Sequence, residues 1–163
     1  MTTVYFVRHA EPDKTVLDDR LRPLTAKGQN ETAIVTDFLR DKNIDVVLSS
    51  SYKRAIDTVL AFANSIGLIV IAVEDFRERE AEGFVNVDDF NAFKAKQWAD
   101  FSYKTPRCES LFEVQKRNIA TLNRFLSEYN GKNIVIGTHG TALSTMHNYY
   151  ATTTAMDMTI GKK

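Results

Sequence analysis

The chain has 163 residues, 44% of them hydrophobic and 26% charged, and its 21 basic and 21 acidic side chains cancel. That length fits one domain with a substantial core, and zero net charge argues against nucleic acid as a main partner, because backbone phosphates reward a basic surplus. A lone Cys108 excludes a disulfide framework or a cysteine zinc cluster, no apolar run approaches the ~20 residues of a membrane span, and no basic-then-apolar leader opens the chain, so a cytoplasmic location is the expectation.

The elements alternate. Val4–Val7 reads as a strand of the kind expected inside a parallel sheet, and it runs directly into Arg8, His9 and Glu11. After a charged loop, Thr25 is the N-cap of a helix expected from Ala26 to Lys42, with Ile34 and Phe38, Val35 and Leu39 as its apolar stripe. Gly28, in the first turn, predicts close backbone packing. A second strand is expected over Asn43 to Leu48, with a hydroxyl of Ser49, Ser50 or Ser51 capping a helix from Lys53 to Ser65 that carries Arg54. Leu68 to Val73 predicts a third strand, followed by the charge run Glu74 to Glu80.

The stretch 84–107 is rich in aromatic side chains and predicts a short helix over Asp89 to Trp98, as core packing or as a lid. Ser110 and Glu113 form a capping-box pattern opening a helix to about Tyr129, with Leu111, Gln115, Ile119, Leu122, Leu126 and Tyr129 on one face. Asn133 to Gly137 predicts the fourth strand, ending in Thr138, His139 and Gly140, and a last helix is expected to about Tyr150. Residues 152–163 show no periodicity and are expected to be loosely ordered, the C-terminus of a shortened chain.

Strands alternating with helices predict an α/β fold, three layers α/β/α around a mainly parallel sheet, in one domain over 1–163. In such a sheet the carboxyl ends of the strands lie on one edge, where ligands gather. Arg8 and His9, Arg54, Glu78 and His139 each follow a strand, so they can converge. Guanidinium forks hold phosphate. Cations beside a histidine keep it neutral and nucleophilic, and a carboxyl supplies an acid for the leaving oxygen and a base for water.

These segments resemble the histidine phosphatase superfamily, the phosphoglycerate mutase-like proteins. Arg8-His9-Ala10-Glu11 resembles its Arg-His-Gly signature, and Ser50 through Thr58 resembles its Ser-x-x-x-Arg-Ala-x-x-Thr segment. Phe76-Arg77-Glu78 is similar to the stretch bearing its proton donor, Glu109-Ser110 to a Glu-Ser pair opening a helix, and Thr138-His139-Gly140 to Ser/Thr-His-Gly. The resemblance implies a phosphoglycerate mutase-like fold and a phosphohistidine on His9. Arg8, Arg54, His139 and Gly140 would hold the phosphoryl oxygens and Glu78 would act as acid then base, with Glu80 and Glu82 as the fallbacks. It implies no metal and no cofactor. Ala10, Pro12 and Thr15 depart from the glycolytic mutase pattern, whereas Arg22-Pro23-Leu24-Thr25 resembles a compact branch that acts on phosphoproteins.

The expected activity is therefore a phosphomonoesterase. A 2,3-bisphosphoglycerate-dependent phosphoglycerate mutase and a protein phosphohistidine phosphatase stand beside it, and a phosphate-binding module without turnover is the reading of another class. Other phosphatase designs fit poorly. Cys108 is followed six positions on by Val114 rather than arginine, and no Asp-x-Asp pair or nucleotide-binding glycine loop is present. The expected partners are a phosphorylated small molecule or a phosphoprotein, with no nucleic acid and no membrane, and a homodimer is the candidate assembly.

Overall fold

The computed structural model describes residues 1–84 and 86–153. Among the described residues four strands, β1 (Thr3–Arg8), β2 (Val46–Ser50), β3 (Val70–Val73) and β4 (Asn133–Thr138), form one sheet in the order β1-β4-β2-β3. Every pairing between these strands is parallel. Five described helices connect and flank them: α1 (Ala26–Leu39), α2 (Lys53–Ser65), α3 (Val87–Ala99), α4 (Leu111–Glu128) and α5 (Gly140–Thr153), with a 3₁₀ turn over Glu74–Phe76 after β3.

Successive strand residues point to opposite faces, and here each face meets its own pair of helices. Val47 and Val135 pack with Leu39, Val59, Phe62 and Ala63 of α1 and α2. Their neighbours Leu48, Ile134 and Ile136 pack with Ile119, Leu122, Phe125 and Met146 of α4 and α5. The expected α/β/α layering is what forms.

Local signals set the helix starts. Thr25 Oγ1 accepts from Gly28 N at 3.0 Å, and the Ser110–Glu113 capping box closes in both directions. A Cβ built on Gly28 would lie 2.3 Å from the carbonyl oxygen of Glu11, so only glycine lets α1 abut the segment that follows His9. Gly137 does the same for α2, because its Cβ would lie 2.9 Å from Ser49 Oγ and 3.1 Å from the Ala55 carbonyl.

Several expectations need correction. α1 ends at Leu39 rather than Lys42. Its inward face is Gly28, Thr32, Val35 and Leu39, an i, i+4, i+7, i+11 set, which leaves Ile34 and Phe38 more than half exposed. Phe38 packs instead edge-on to Tyr5. β2 begins three residues later than expected and continues through Ser50, and no serine hydroxyl caps α2. β1 lies outermost in the described sheet and is half-buried rather than enclosed. Thr152 and Thr153 continue α5, so the loosely ordered tail does not begin there. The rest of that expectation, 154–163, falls outside the described residues.

Within the aromatic stretch, α3 is slightly longer than expected. Phe84, Phe90, Phe93 and Tyr103 form a chain of ring contacts, with Phe93 buried and Trp98 exposed beside Phe101. Arg79 lies over Phe90 and Phe93 and donates to Gln97 at 2.5 Å, which joins this segment to the loop after β3. No described helix is long and apolar enough to cross a membrane.

Candidate active site

Because β1 and β4 are neighbours, the residues following them are too. His9 N donates to the Thr138 carbonyl at 2.9 Å, continuing the ladder one step past β1. The His9 and His139 rings are then brought to a centroid separation of 5.2 Å. Ala10 N is anchored to Thr58 Oγ1 of α2 at 3.0 Å, and Ala10 is absent from the residues with positive φ. Its Cβ in place of the glycine hydrogen is accommodated without left-handed backbone.

His9 Nδ1 lies 2.7 Å from the Ala10 carbonyl. A carbonyl oxygen only accepts, so Nδ1 carries the proton and the lone pair is on Nε2. Burial lowers the His9 pKa to about 4; the Ala10 bond opposes that shift, and Arg54 and Arg8 reinforce it. The imidazole is neutral near pH 7, with Nε2 free to attack an electrophile.

His139 is fully buried at the start of α5. Its Nε2 lies 2.7 Å from Ser50 Oγ, while Nδ1 is buried without a partner. Ser50 Oγ already accepts from Tyr52 N at 3.2 Å, and its own proton has no other acceptor among the described residues. The hydroxyl therefore donates to Nε2, which places the imidazole proton on Nδ1, a donor with nothing yet to bond. Burial, followed by Arg54 and His9, holds the His139 pKa well below its usual value. The Tyr52 ring meets His139 edge-on, and Arg54 and Arg20 lie over that same ring.

The cations differ in availability. The Arg8 guanidinium makes no hydrogen bond or ion pair among the described residues, and it lies against Gly140, where a Cβ would sit 3.6 Å from Nε. Arg54 is buried, yet its fork is engaged by Asp19 of the loop before α1. Nη1 donates to the Asp19 carbonyl at 2.5 Å and Nη2 to its carboxylate at 3.3 Å.

Glu78 joins the cluster through backbone donors. Oε1 accepts from Arg79 N at 2.8 Å and Oε2 from Thr141 N, in the first turn of α5, at 3.1 Å. Neither fallback is bonded there. Glu80 pairs with Arg20 and Arg77, and Glu82 accepts from Cys108 through its carbonyl. His147 is exposed.

The chain belongs to the histidine phosphatase superfamily. The model of that superfamily's branch 1 matches residues 4–159, which takes in all four strands but for the first residue of β1. Among curated proteins it is 28% identical to an uncharacterized phosphatase, PhoE, of Bacillus subtilis (strain 168), covering 88% of this chain and 74% of that one. It is 25% identical to a probable phosphoglycerate mutase, GpmB, of Yersinia enterocolitica, covering 88% and 72%. Among solved structures, Bacillus stearothermophilus YhfR superposes with a TM-score of 0.79 at 23% identity, covering 93% of this chain and 81% of that one. That likeness establishes a shared phosphoglycerate mutase-like fold.

The structure thus brings Arg8, His9, Arg54, Glu78, His139 and Gly140 to one edge of the sheet. None of them lines the open, shallow cleft of about 680 Å³ bordered by Glu80, Lys104, Arg107, Lys116 and Arg117. Sequence reasoning missed Asp19, Ser50 as the partner of His139, and Thr141. Ser50 opens the Ser-x-x-x-Arg segment, a signal that was present; nothing in the sequence distinguishes Asp19 from Asp18. Among the described residues no group of three or more His, Cys, Asp or Glu is arranged to hold a metal ion.

Proposed function

We propose that the chain is a phosphomonoesterase that forms a phosphohistidine on His9. The observation that carries this reading is the state of the two imidazoles. His9 offers an unprotonated Nε2, and His139 beside it offers an unspent Nδ1–H.

The phosphate monoester binds with its oxygens toward Arg8, Arg54 and His139 Nδ1–H, Arg54 exchanging its contacts with Asp19 for the phosphoryl group. His9 Nε2 attacks phosphorus in line, and the P–O bond to the leaving group breaks. Glu78, in its protonated form, gives its proton to the departing oxygen. The alcohol leaves and water takes its place. Glu78 carboxylate then accepts a proton from that water as it attacks the phosphorus, the N–P bond breaks, and inorganic phosphate is released with His9 restored. Negative charge on the transferring group is met throughout by cations and N–H donors already in position.

Names of relatives support a phosphatase and leave its substrate open, since a phosphatase and a probable mutase stand among them. The aromatic segment 84–107, tied to the Glu78 loop through Arg79 and Gln97, is proposed to set what fits. In this reading no metal or cofactor takes part, and the partner is a phosphorylated small molecule or phosphoprotein.

Purified protein is expected to release phosphate from p-nitrophenyl phosphate without added metal between about pH 5 and 8, and His9→Ala is expected to abolish release. If both proteins are equally inert, the catalytic reading fails and a phosphate-binding module becomes the better account. A panel of sugar phosphates, glycerate phosphates, nucleotides and a phosphohistidine protein then ranks the substrates.

A further inference from the structure

Arg117 lies on α4, far in sequence from every residue of the proposed catalytic set, yet it spends its donors on the loop that carries Glu78. Nη1 donates to the carbonyls of Asp75 at 2.8 Å and Arg77 at 2.9 Å, and Nη2 to the carbonyl of Glu78 itself at 3.1 Å. The same guanidinium forks onto Glu109, Nε to Oε1 and Nη2 to Oε2, both at 2.9 Å.

Glu109 ties down the other side of the loop. Its carboxylate accepts from Arg77 Nη2 at 2.9 Å and from Glu80 N at 2.9 Å, and Glu109 N donates to the Glu80 carbonyl at 2.9 Å. Residues 75, 77, 78 and 80 are therefore all bonded to one Arg–Glu pair. Both side chains of that pair are about 85% buried, at 13% and 15% exposure. Burial alone would raise the Glu109 carboxyl, but the Arg117 fork and the Glu80 N–H outweigh it and hold it below its usual range.

Carbonyl oxygens in a loop with no ladder partner need donors. A guanidinium meets several at once, and its planar fork fixes their relative positions as an ammonium cannot. The Glu78 side chain leaves this loop to reach Thr141 N at 3.1 Å, so the loop's position sets where the carboxyl sits. Misplacing a catalytic group by about 1 Å can cost on the order of 100-fold in rate.

We propose that Arg117, fastened by Glu109, is the positioning residue for the acid–base Glu78. This rests on the phosphohistidine reading and extends it to residues that touch neither substrate nor the reacting nitrogen. Because Glu78 protonates the leaving oxygen as His9 is phosphorylated, its placement in that step matters for poor leaving groups and little for good ones, while its part as base toward water is common to both.

The test compares an alkyl phosphate with 2,4-dinitrophenyl phosphate, using wild type, Arg117→Lys and Arg117→Met. Labelling of His9 from radioactive substrate is measured alongside. The expected result is that the rate of His9 labelling by the alkyl ester falls at least about tenfold more than the rate of labelling by the dinitrophenyl ester. Glu109→Gln, which keeps the side-chain volume, is expected to shift the same ratio in the same direction and carries the test if the Arg117 variants do not fold. Equal loss on both esters, or an unchanged ratio, overturns the positioning role. A wild type that never labels at His9 overturns the phosphohistidine reading and this proposal with it.

Discussion

Ser50 Oγ and His139 Nε2 lie 2.7 Å apart, both fully buried, at the junction of β2 and β4. This contact leaves His139 Nδ1 as the nitrogen that carries a proton with no partner. Ser50→Ala removes the hydroxyl and frees the imidazole to take the other tautomer. Turnover of p-nitrophenyl phosphate is expected to fall about tenfold, equivalent to ~1.4 kcal/mol in the transition state. A thermal midpoint that drops while turnover stays constant would reduce Ser50 to a packing role.

Asp19 engages the Arg54 guanidinium, which the proposed reaction turns toward the incoming phosphate. Its carboxylate is nearly half exposed, so the pair contributes at most ~1 kcal/mol. Asp19→Asn keeps the backbone contact and weakens the competing charge. The expected outcome is a KM for phosphate monoesters lower by about 2- to 5-fold. Steady-state kinetics measure it, and a raised KM would show that Asp19 assists binding instead.

The lowered His9 pKa makes stability depend on pH. The unfolded histidine titrates near 6.5 and the folded one at about 4. Between those values the unfolded chain binds more protons, so stability rises with pH across that window and is lost as pH falls toward 4. His139, shifted in the same direction by burial, adds to the loss. Urea unfolding between about pH 4 and 7 measures it, and His9→Gln is expected to flatten part of the slope.

Gly28 packs against the Glu11 carbonyl more closely than any Cβ allows. Gly28→Ala gains about 1 kcal/mol in helix propensity, but a 2.3 Å contact with backbone forces a shift that costs more, roughly 1–3 kcal/mol. Net destabilisation is expected by thermal unfolding. Because Glu11 follows His9 by two residues, turnover should fall as well. A more stable and fully active variant would remove the packing argument.

The layering and most element positions were legible in the chain because periodicity, caps and strand-following polar residues are local signals. The Thr25 cap, the Ser110–Glu113 box and the close packing of Gly28 all form as expected. Ile34 and Phe38 misled, since an apolar stripe on α1 can be drawn two ways. The choice depends on which side of the helix meets β1 and α2. Gly28 and Thr32, small and unremarkable in hydropathy, occupy the inward face.

By itself the sequence determined which reactive groups follow which strands: His9 after β1, Glu78 after β3, His139 after β4. It also carried the ordered motifs that mark the superfamily. Only the tertiary structure decided that β1 and β4 are neighbours, and hence that the two imidazoles meet. Strand order is set by how distant segments bury their faces together, which no local pattern records. The same holds for Asp19 on Arg54, Ser50 on His139 and Arg117 around the Glu78 loop. Each pairs charges or donors from segments 35 to 89 residues apart, where burial makes an unpaired polar group costly.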